Sequence, residues 1–461
     1  MKKLMIVLLI ALMVSPLVAE GTAEGAVEPW DWVVTVAGGR GDFWQENVYD
    51  GMLAQYPDLS FEFVDINQVS GDNITMAALM AANTPPDIYL GFAGRAGEYL
   101  VSEYALPLDI DESVWDQAIL ATYKRYDVGS WLVVVENAKG ELKETRYVGR
   151  PANVTAGSWE REPGIKLYGL PFSLPVQGMA INTDVTTAAG YAVPDGAWDT
   201  ADYLEMLEAI KSSGQEVHPT FLYAGSPSAD YFWLGWFGAF GVELFDADYT
   251  RSTFNDTPAG VEVMAFLQEL VKAGYSPEDS AIRTVNEVLP GWKKGSIATT
   301  GYRPNWIPSG MERSISNGVI DKAFNYIVKP FPTAPGVAWP APIPGVGTCV
   351  IGHVTDNAQE EAMITEIVLK VASIAQSETV NDILTRTDIV AVGDIDPTTA
   401  EIIAFTLESG FMDPGYTYEW YGETRACALP ILRDLYNGVS TPEEAAAAYE
   451  KAVNEILADY K

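Results

Sequence analysis

Hydrophobic and polar positions alternate along this chain with two different periods. Val33 to Ala37 is short, apolar and β-branched, a strand pattern. Phe43 to Tyr56 repeats at helical spacing and is stopped by Pro57. Phe61 to Ile66 is again strand-like. Asp72 caps a predicted helix that places Ile74, Ala77, Ala78 and Ala81 on one face and ends before Thr84-Pro85-Pro86; Asp87 to Phe92 follows as a third strand. Strand, helix, strand, helix, strand predicts an open α/β sheet with parallel strands.

The pattern breaks at Tyr126 to Gly164. There Trp131 to Val135 and Thr145 to Val148 flank Asn137-Ala138-Lys139-Gly140, which predicts a hairpin inserted at the surface. The α/β pattern resumes over Tyr168 to Asn182. A helix starts near Asp199 or Thr200, carries Leu204, Leu207 and Ile210, and closes at Gly214; a second opens at Thr257-Pro258, carries Val261, Met264, Leu267 and Val271, and closes at Gly274. Pro and Gly cluster at Pro171 to Pro175, Tyr302 to Gly310 and Pro330 to Gly347, the last an extended surface segment with room for short strands. Thr441-Pro442-Glu443-Glu444 is a capping box ahead of an Ala-rich helix reaching about Tyr460.

The N-terminus adds a compartment. Met1-Lys2-Lys3, the apolar run Leu4 to Val14 and small residues near Ala19 describe a secretory signal peptide, residues 1–19, with cleavage as late as Ala26 also allowed. Eleven apolar residues rise about 16 Å as a helix against roughly 30 Å of hydrocarbon, too short for a span. The expectation is a periplasmic or extracellular protein. The cleavage region has no Cys to take a lipid anchor.

Charge narrows the partners. Lys plus Arg total 28 and Asp plus Glu 63, a net charge of −35, which repels phosphate backbones and excludes nucleic acid as an expected partner. The acids are dispersed, so they read first as a solvated surface, with a cationic ligand as the alternative. The two Cys (Cys349, Cys427) and two His (His218, His353) are too few and too far apart for a zinc cluster or a Cys-x-x-Cys site, and their spacing leaves a disulfide open.

No Gly-x-Ser-x-Gly elbow, Walker loop, His-Glu-x-x-His or Gly-x-Gly-x-x-Gly is present, so no catalytic residue, metal or cofactor is assigned. Asp109/Asp111 and Asp246/Asp248 lack the loop that would make them calcium ligands. A glycoside hydrolase needs only two opposed carboxylates and an aromatic groove, and stays open as the enzymatic rival.

Several motifs in order carry a resemblance. Met76-Ala77-Ala78-Leu79-Met80-Ala81-Ala82-Asn83-Thr84-Pro85-Pro86-Asp87-Ile88-Tyr89 is followed by Tyr104-Ala105-Leu106-Pro107-Leu108-Asp109. Tyr168-Gly169-Leu170-Pro171-Phe172, Met179-Ala180-Ile181-Asn182-Thr183-Asp184, Tyr191 to Trp198, Trp292 to Ala298 and Val328-Lys329-Pro330-Phe331-Pro332 come after it. From about Trp30 to Tyr460 the chain resembles the extracellular solute-binding proteins of bacterial ABC importers, in the group that includes maltose-binding protein. It departs from that pattern in the missing lipid-attachment Cys, the insertion, and Gly301-Tyr302-Arg303-Pro304 in place of Gly-x-Trp.

The resemblance implies a two-lobed clamshell of the type II periplasmic-binding-protein fold. One lobe is expected from residues 28–170 and 301–346, with the insertion at 126–164, and the other from 171–300 and 347–461. Crossings are expected near Pro171 to Pro175, Thr299 to Gly301 and Gly345 to Ile351. A monomer would capture a sugar or oligosaccharide between the lobes and deliver it to ABC permease subunits; a polyamine-like cation is the alternative solute. Ligands in open α/β sheets bind beyond the carboxyl ends of strands, which selects Arg40, Asp42, Trp44, Phe92, Arg95, Tyr302, Arg303, Asn305 and Trp306. Gln177 is a further candidate beside the first crossing. The family pattern places Trp233, Trp236, Trp420 and Tyr421 on the opposite lobe as an aromatic platform. Gly301 is expected to permit a tight turn.

Overall fold

A computed structural model describes residues 33–38, 49–65, 86–92, 105–117, 120, 124–127, 130–136, 142–148, 164–173, 177–226, 230–302, 307–337, 348–353, 358–378, 387–388, 397–409, 412, 414–415, 418 and 420–460. The export signal and the helix capped by Asp72 lie outside the described residues. Up to the first crossing the elements are β1 (Val33–Gly38), α1 (Asp50–Gln55), β2 (Ser60–Asp65), β3 (Ile88–Phe92), β4 (Lys124–Asp127), β5 (Ser130–Glu136), β6 (Leu142–Val148), β7 (Gly164–Leu167) and β8 (Leu170–Ser173). Then come β9 (Gly178–Asn182), α2 (Thr183–Ala188), α3 (Thr200–Ser212), β10 (His218–Thr220), α4 (Asp230–Ala239), α5 (Ala259–Lys272), α6 (Val285–Lys293), β11 (Ile297–Tyr302), α7 (Ile307–Ser316) and β12 (Tyr326–Lys329). The remainder is β13 (Thr348–Gly352), α8 (Ala358–Glu378), α9 (Pro397–Ser409), α10 (Tyr421–Tyr436) and α11 (Pro442–Asp459). None of the described helices is long and apolar enough to cross a membrane.

Local chemistry sets the element ends. The Asp199 carboxylate accepts from the amides of Ala201 and Asp202, while Asp202 accepts in return from the Asp199 amide, so α3 begins in a capping box; Gly214 follows its end at φ 72°. Pro258 opens α5, and Gly274 closes its last turn at φ 70°. Thr441 and Glu444 cap α11 reciprocally. The Pro-Asp strand motif is held across the sheet. The Asp87 carboxylate accepts from the amide and hydroxyl of Thr35 at 2.7 and 2.8 Å, and the Asp87 amide donates back to Thr35 Oγ1. Burial raises the Asp87 pKa and these bonds to Thr35 oppose the rise.

Two larger sheets carry the fold. The first has strand order β2-β1-β3-β13-β8, with β1 parallel to β2 and β3, and β13 antiparallel to β3 and β8. The second has order β10-β11-β9-β12, with β10 and β11 parallel and β9 antiparallel to both its neighbours. α8 packs on β8, β13 and α1 of the first sheet, while α3, α4, α6 and α9 pack on strands of the second. α5, α10 and α11 bundle together beside them. Residues 130–136 and 142–148 form the expected hairpin, which is carried by the β4–β7 ladder.

The lobe boundaries differ from the expected ones. β12 pairs with β9, Lys329 opposite Met179, so residues 307–329 belong with the second sheet and not with the first. β13 lies between β3 and β8, and α8 packs on it, so 348–378 belongs with the first sheet and not with the second. No crossing occurs at Thr299 to Gly301. The chain goes from β11 through α7 back into the same sheet, and passes to the first sheet only between Lys329 and Thr348. A strand goes where backbone pairing is available, and β9 has a second side to be paired.

Candidate functional site

Strand register gathers one set of strand ends on a single edge of each sheet. In the first sheet Gly38 stands opposite Asp65 and Leu90, while Thr348 stands opposite both Phe92 and Ser173. The carboxyl ends of β1, β2, β3 and β8 therefore share one edge with the start of β13. In the second sheet Tyr302 stands opposite Gly178 and Lys329 opposite Met179, so the ends of β11 and β12 share an edge with the start of β9. Two of the passages between the sheets, from Ser173 to Gly178 and from Lys329 to Thr348, join these same two edges; the chain returns to the second sheet between Glu378 and Pro397. Four residues intervene in the first crossing, an extended reach of about 17 Å at most, so at that crossing the two edges lie no farther apart than this.

The candidate loops leave from these edges. Arg40, Asp42 and Trp44 follow Gly38; Arg95 follows Phe92; Arg303, Asn305 and Trp306 follow Tyr302. Arg40, Asp42, Trp44, Arg95, Arg303, Asn305 and Trp306 themselves lie outside the described residues, and Phe92 and Tyr302 are placed by their backbones. Gln177 is buried at the end of the first crossing. Gly38 sits in a crowded place: a Cβ there would lie 2.5 Å from the Tyr49 hydroxyl and 3.2 Å from the Leu90 carbonyl.

The expected aromatic platform is interior instead. Trp233 and Trp236 are 2% and 0% exposed on α4. Trp233 packs against Phe237 and Tyr449 with centroids at 5.1 and 6.3 Å, and Trp236 against Phe266, Tyr203 and Phe331 at 4.9, 5.3 and 5.3 Å. Protein rings already occupy the faces that a sugar would use. Trp420 and Tyr421 are buried as well, Trp420 stacked on Tyr418 at 4.9 Å and Tyr421 beneath the Arg425 guanidinium.

Trp420 rests on Gly415, whose φ is 82° and whose added Cβ would lie 2.1 Å from the indole. Gly415→Ala combines an unfavourable backbone region with overpacking and is expected to lower stability by about 2–4 kcal/mol. A urea unfolding midpoint equal to wild type would contradict that geometry.

Sequence reasoning missed what fixes the second crossing. Lys329 is buried at its origin, where Nζ donates to the carbonyls of Pro194 and Gly196 and sits 5.6 Å above the Trp198 ring. Burial holds its pKa below the ordinary lysine value. Trp198 Nε1 donates to the Pro330 carbonyl at 2.8 Å. The signal was present in Tyr191 to Trp198 and Val328 to Pro332, but as two separate motifs. The paired acids have local work: Asp111 accepts from the Ser113 amide, and Asp246 accepts from the Thr250 amide and hydroxyl and from the Arg251 amide. Cys349 lies in β13 of the first sheet and Cys427 on α10 beside the second, and no disulfide joins them.

Solved structures share this arrangement. The GacH receptor of Streptomyces glaucescens, studied unliganded and with acarbose, is 17% identical with a TM-score of 0.63 over 93% of this chain and 99% of that one. The cyclic alpha-maltosyl-1,6-maltose binding protein of Arthrobacter globiformis is 14% identical with a TM-score of 0.66 over 93% and 99%. The maltose-maltodextrin binding protein of Alicyclobacillus acidocaldarius is 14% identical with a TM-score of 0.63 over 92% and 100%. At these identities the likeness establishes the two-lobed fold. No curated protein matches the sequence. The profile of the bacterial extracellular solute-binding proteins matches residues 37–362, most of the chain, and this protein belongs to that family.

Proposed function

We propose that this protein is an exported, monomeric receptor that captures a neutral sugar or oligosaccharide between its two sheets, closes over it and presents it to ABC permease subunits without turning it over. The observation that supports this most is that three loops leave from the two strand edges that the crossings connect. Those loops carry Arg40, Asp42, Trp44, Arg95, Arg303, Asn305 and Trp306. Indole faces stack on the apolar faces of pyranose rings, while Arg, Asp and Asn bond the ring hydroxyls. The structural neighbours named above are described with acarbose, a cyclic maltosyl-maltose and maltose-maltodextrin, in keeping with this reading. Two crossings at one junction allow a hinge, and closure supplies a form that a permease can distinguish from the open one.

Mass spectrometry of small molecules released from the natively purified protein tests the reading directly. A neutral glycan that raises the melting temperature and is recovered intact supports it; cleaved glycan favours a hydrolase. Release of a polyamine, with affinity that collapses in high salt, would favour the cationic alternative suggested by the net charge of −35. Trp306→Ala is expected to weaken binding of the recovered glycan by about 1–3 kcal/mol with the melting temperature nearly unchanged. Wild-type affinity in a destabilised variant would remove Trp306 from the site.

A further inference from the structure

Phe331 is the second residue after β12, at the start of the segment that leaves for the first sheet. Its ring is buried, and both walls of its slot are glycine. A Cβ added at Gly235 on α4 would lie 2.5, 2.6 and 2.8 Å from three ring atoms, and one added at Gly301 on β11 would lie 2.7 Å from the Phe232 ring and 3.0 Å from the tip of the Phe331 ring. Gly301 therefore serves close approach and not the turn expected from sequence, since it is paired with Met179 inside β11. Phe232 and Trp236 meet the ring edge-on, with interplanar angles of 66° and 88°.

The backbone on either side of Phe331 is fixed too. Trp198 holds the Pro330 carbonyl, the Thr200 amide donates to Thr333 at 2.9 Å, and the Ala334 amide donates to Ala239 at the end of α4 at 3.0 Å. One ring thus touches the strand that ends at Tyr302, the helix α4, and the exit toward the other lobe. Sliding β11 by one residue would put Thr300 or Tyr302 where only a glycine fits.

We propose that Phe331 is a positioning residue that locks the cleft end of β11 to the crossing segment, so that a rotation between the lobes carries Tyr302 with it as part of a rigid unit. Its consequence for ligand capture rests on the binding-protein reading; the mechanical lock does not.

Hydrogen exchange measured by mass spectrometry on the whole ligand-free chain tests the lock. Phe331→Ala is expected to speed exchange in the peptide covering residues 297–302 by about tenfold or more, with peptides from α3 and α5 unchanged. Phe254→Leu, deep in the core against Phe237 and Tyr449, is expected to lower the melting temperature without that local effect. Gly235→Ala, whose added methyl has three atoms of the Phe331 ring as its nearest contacts, is expected to speed the same peptide, and adding Phe331→Leu, which shortens the ring side chain, to bring it back toward wild type. Where Phe331→Ala does not fold, Phe331→Leu alone and Gly235→Ala are read instead. Unchanged exchange at 297–302, a uniform rise across all peptides, or no relief in the Gly235→Ala, Phe331→Leu double variant would overturn the proposal. Titration with maltotriose runs alongside: absence of binding by the wild-type protein counts against a maltooligosaccharide ligand, while the exchange result still decides the lock.

Discussion

Raising the pH from 9 to 11 is expected to remove about 4 kcal/mol of folding stability, a large share of the roughly 5–15 kcal/mol that holds a typical domain together. The cause is three buried phenols. Tyr203 donates to Thr220 Oγ1 and shares a hydrogen bond with Thr299 Oγ1, and burial pushes its pKa up to about 12. Burial raises Tyr436 and Tyr449 well above the ordinary tyrosine value. In the unfolded chain each releases its proton near pH 10, while in the folded chain each keeps it. The unfolded state then binds fewer protons, and stability falls as pH rises through 10, by about 1.4 kcal/mol per phenol at pH 11. Cys427, pushed up to about 12 by burial, acts in the same direction from about pH 9. Lys329, whose pKa is lowered, acts in the opposite direction but is a single group. Urea midpoints at pH 8, 9, 10 and 11 check this; a flat profile would mean that these phenols reach water in the folded state. A net charge of −35 favours solubility in alkaline or saline surroundings, yet the interior sets an alkaline limit.

The second large effect separates core from cleft. Trp233→Ala is expected to cost about 3–5 kcal/mol of stability, because the indole fills a volume bounded by Phe237 and Tyr449 that backbone and rings cannot close. Sugar affinity of the folded fraction should stay at the wild-type value, the reverse of the outcome expected at Trp306. Denaturant unfolding with calorimetric titration of the same variant measures both. A selective loss of affinity would return Trp233 to the binding site.

Much of the fold was legible because its determinants are local. Strand patterns at Val33 to Ala37 and Asp87 to Phe92, the Asp199 and Thr441 caps, and the stops at Gly214 and Gly274 all depend on residues within a turn or two of one another. The hairpin was legible for the same reason. Which sheet receives β12 and β13 was not, because pairing with β9 or β3 is a choice among distant partners that periodicity does not encode. The interior position of Trp233 and Trp236 did leave a trace. Tyr231, Phe232, Trp233, Leu234, Trp236 and Phe237 leave α4 with no polar side beyond its first residue, and a helix apolar all round is a buried one. A resemblance that assigned these rings to a ligand outweighed that sign. The loop candidates were chosen by a rule about strand ends, and register supports the edges from which they leave.

The place of β13 also bears on how the chain is made. It is an inner strand of the first sheet, between β3 and β8, yet it follows β3 in sequence by roughly 250 residues, a separation that makes pairing slow. Until it emerges from the ribosome, β3 and β8 lack the strand that joins them, and the first sheet cannot be completed. The second lobe, most of it encoded between those two halves, must be synthesised in the meantime. A late keystone strand delays closure of the first lobe during synthesis, and on the proposed reading of an exported receptor that delay favours threading through a membrane ahead of folding.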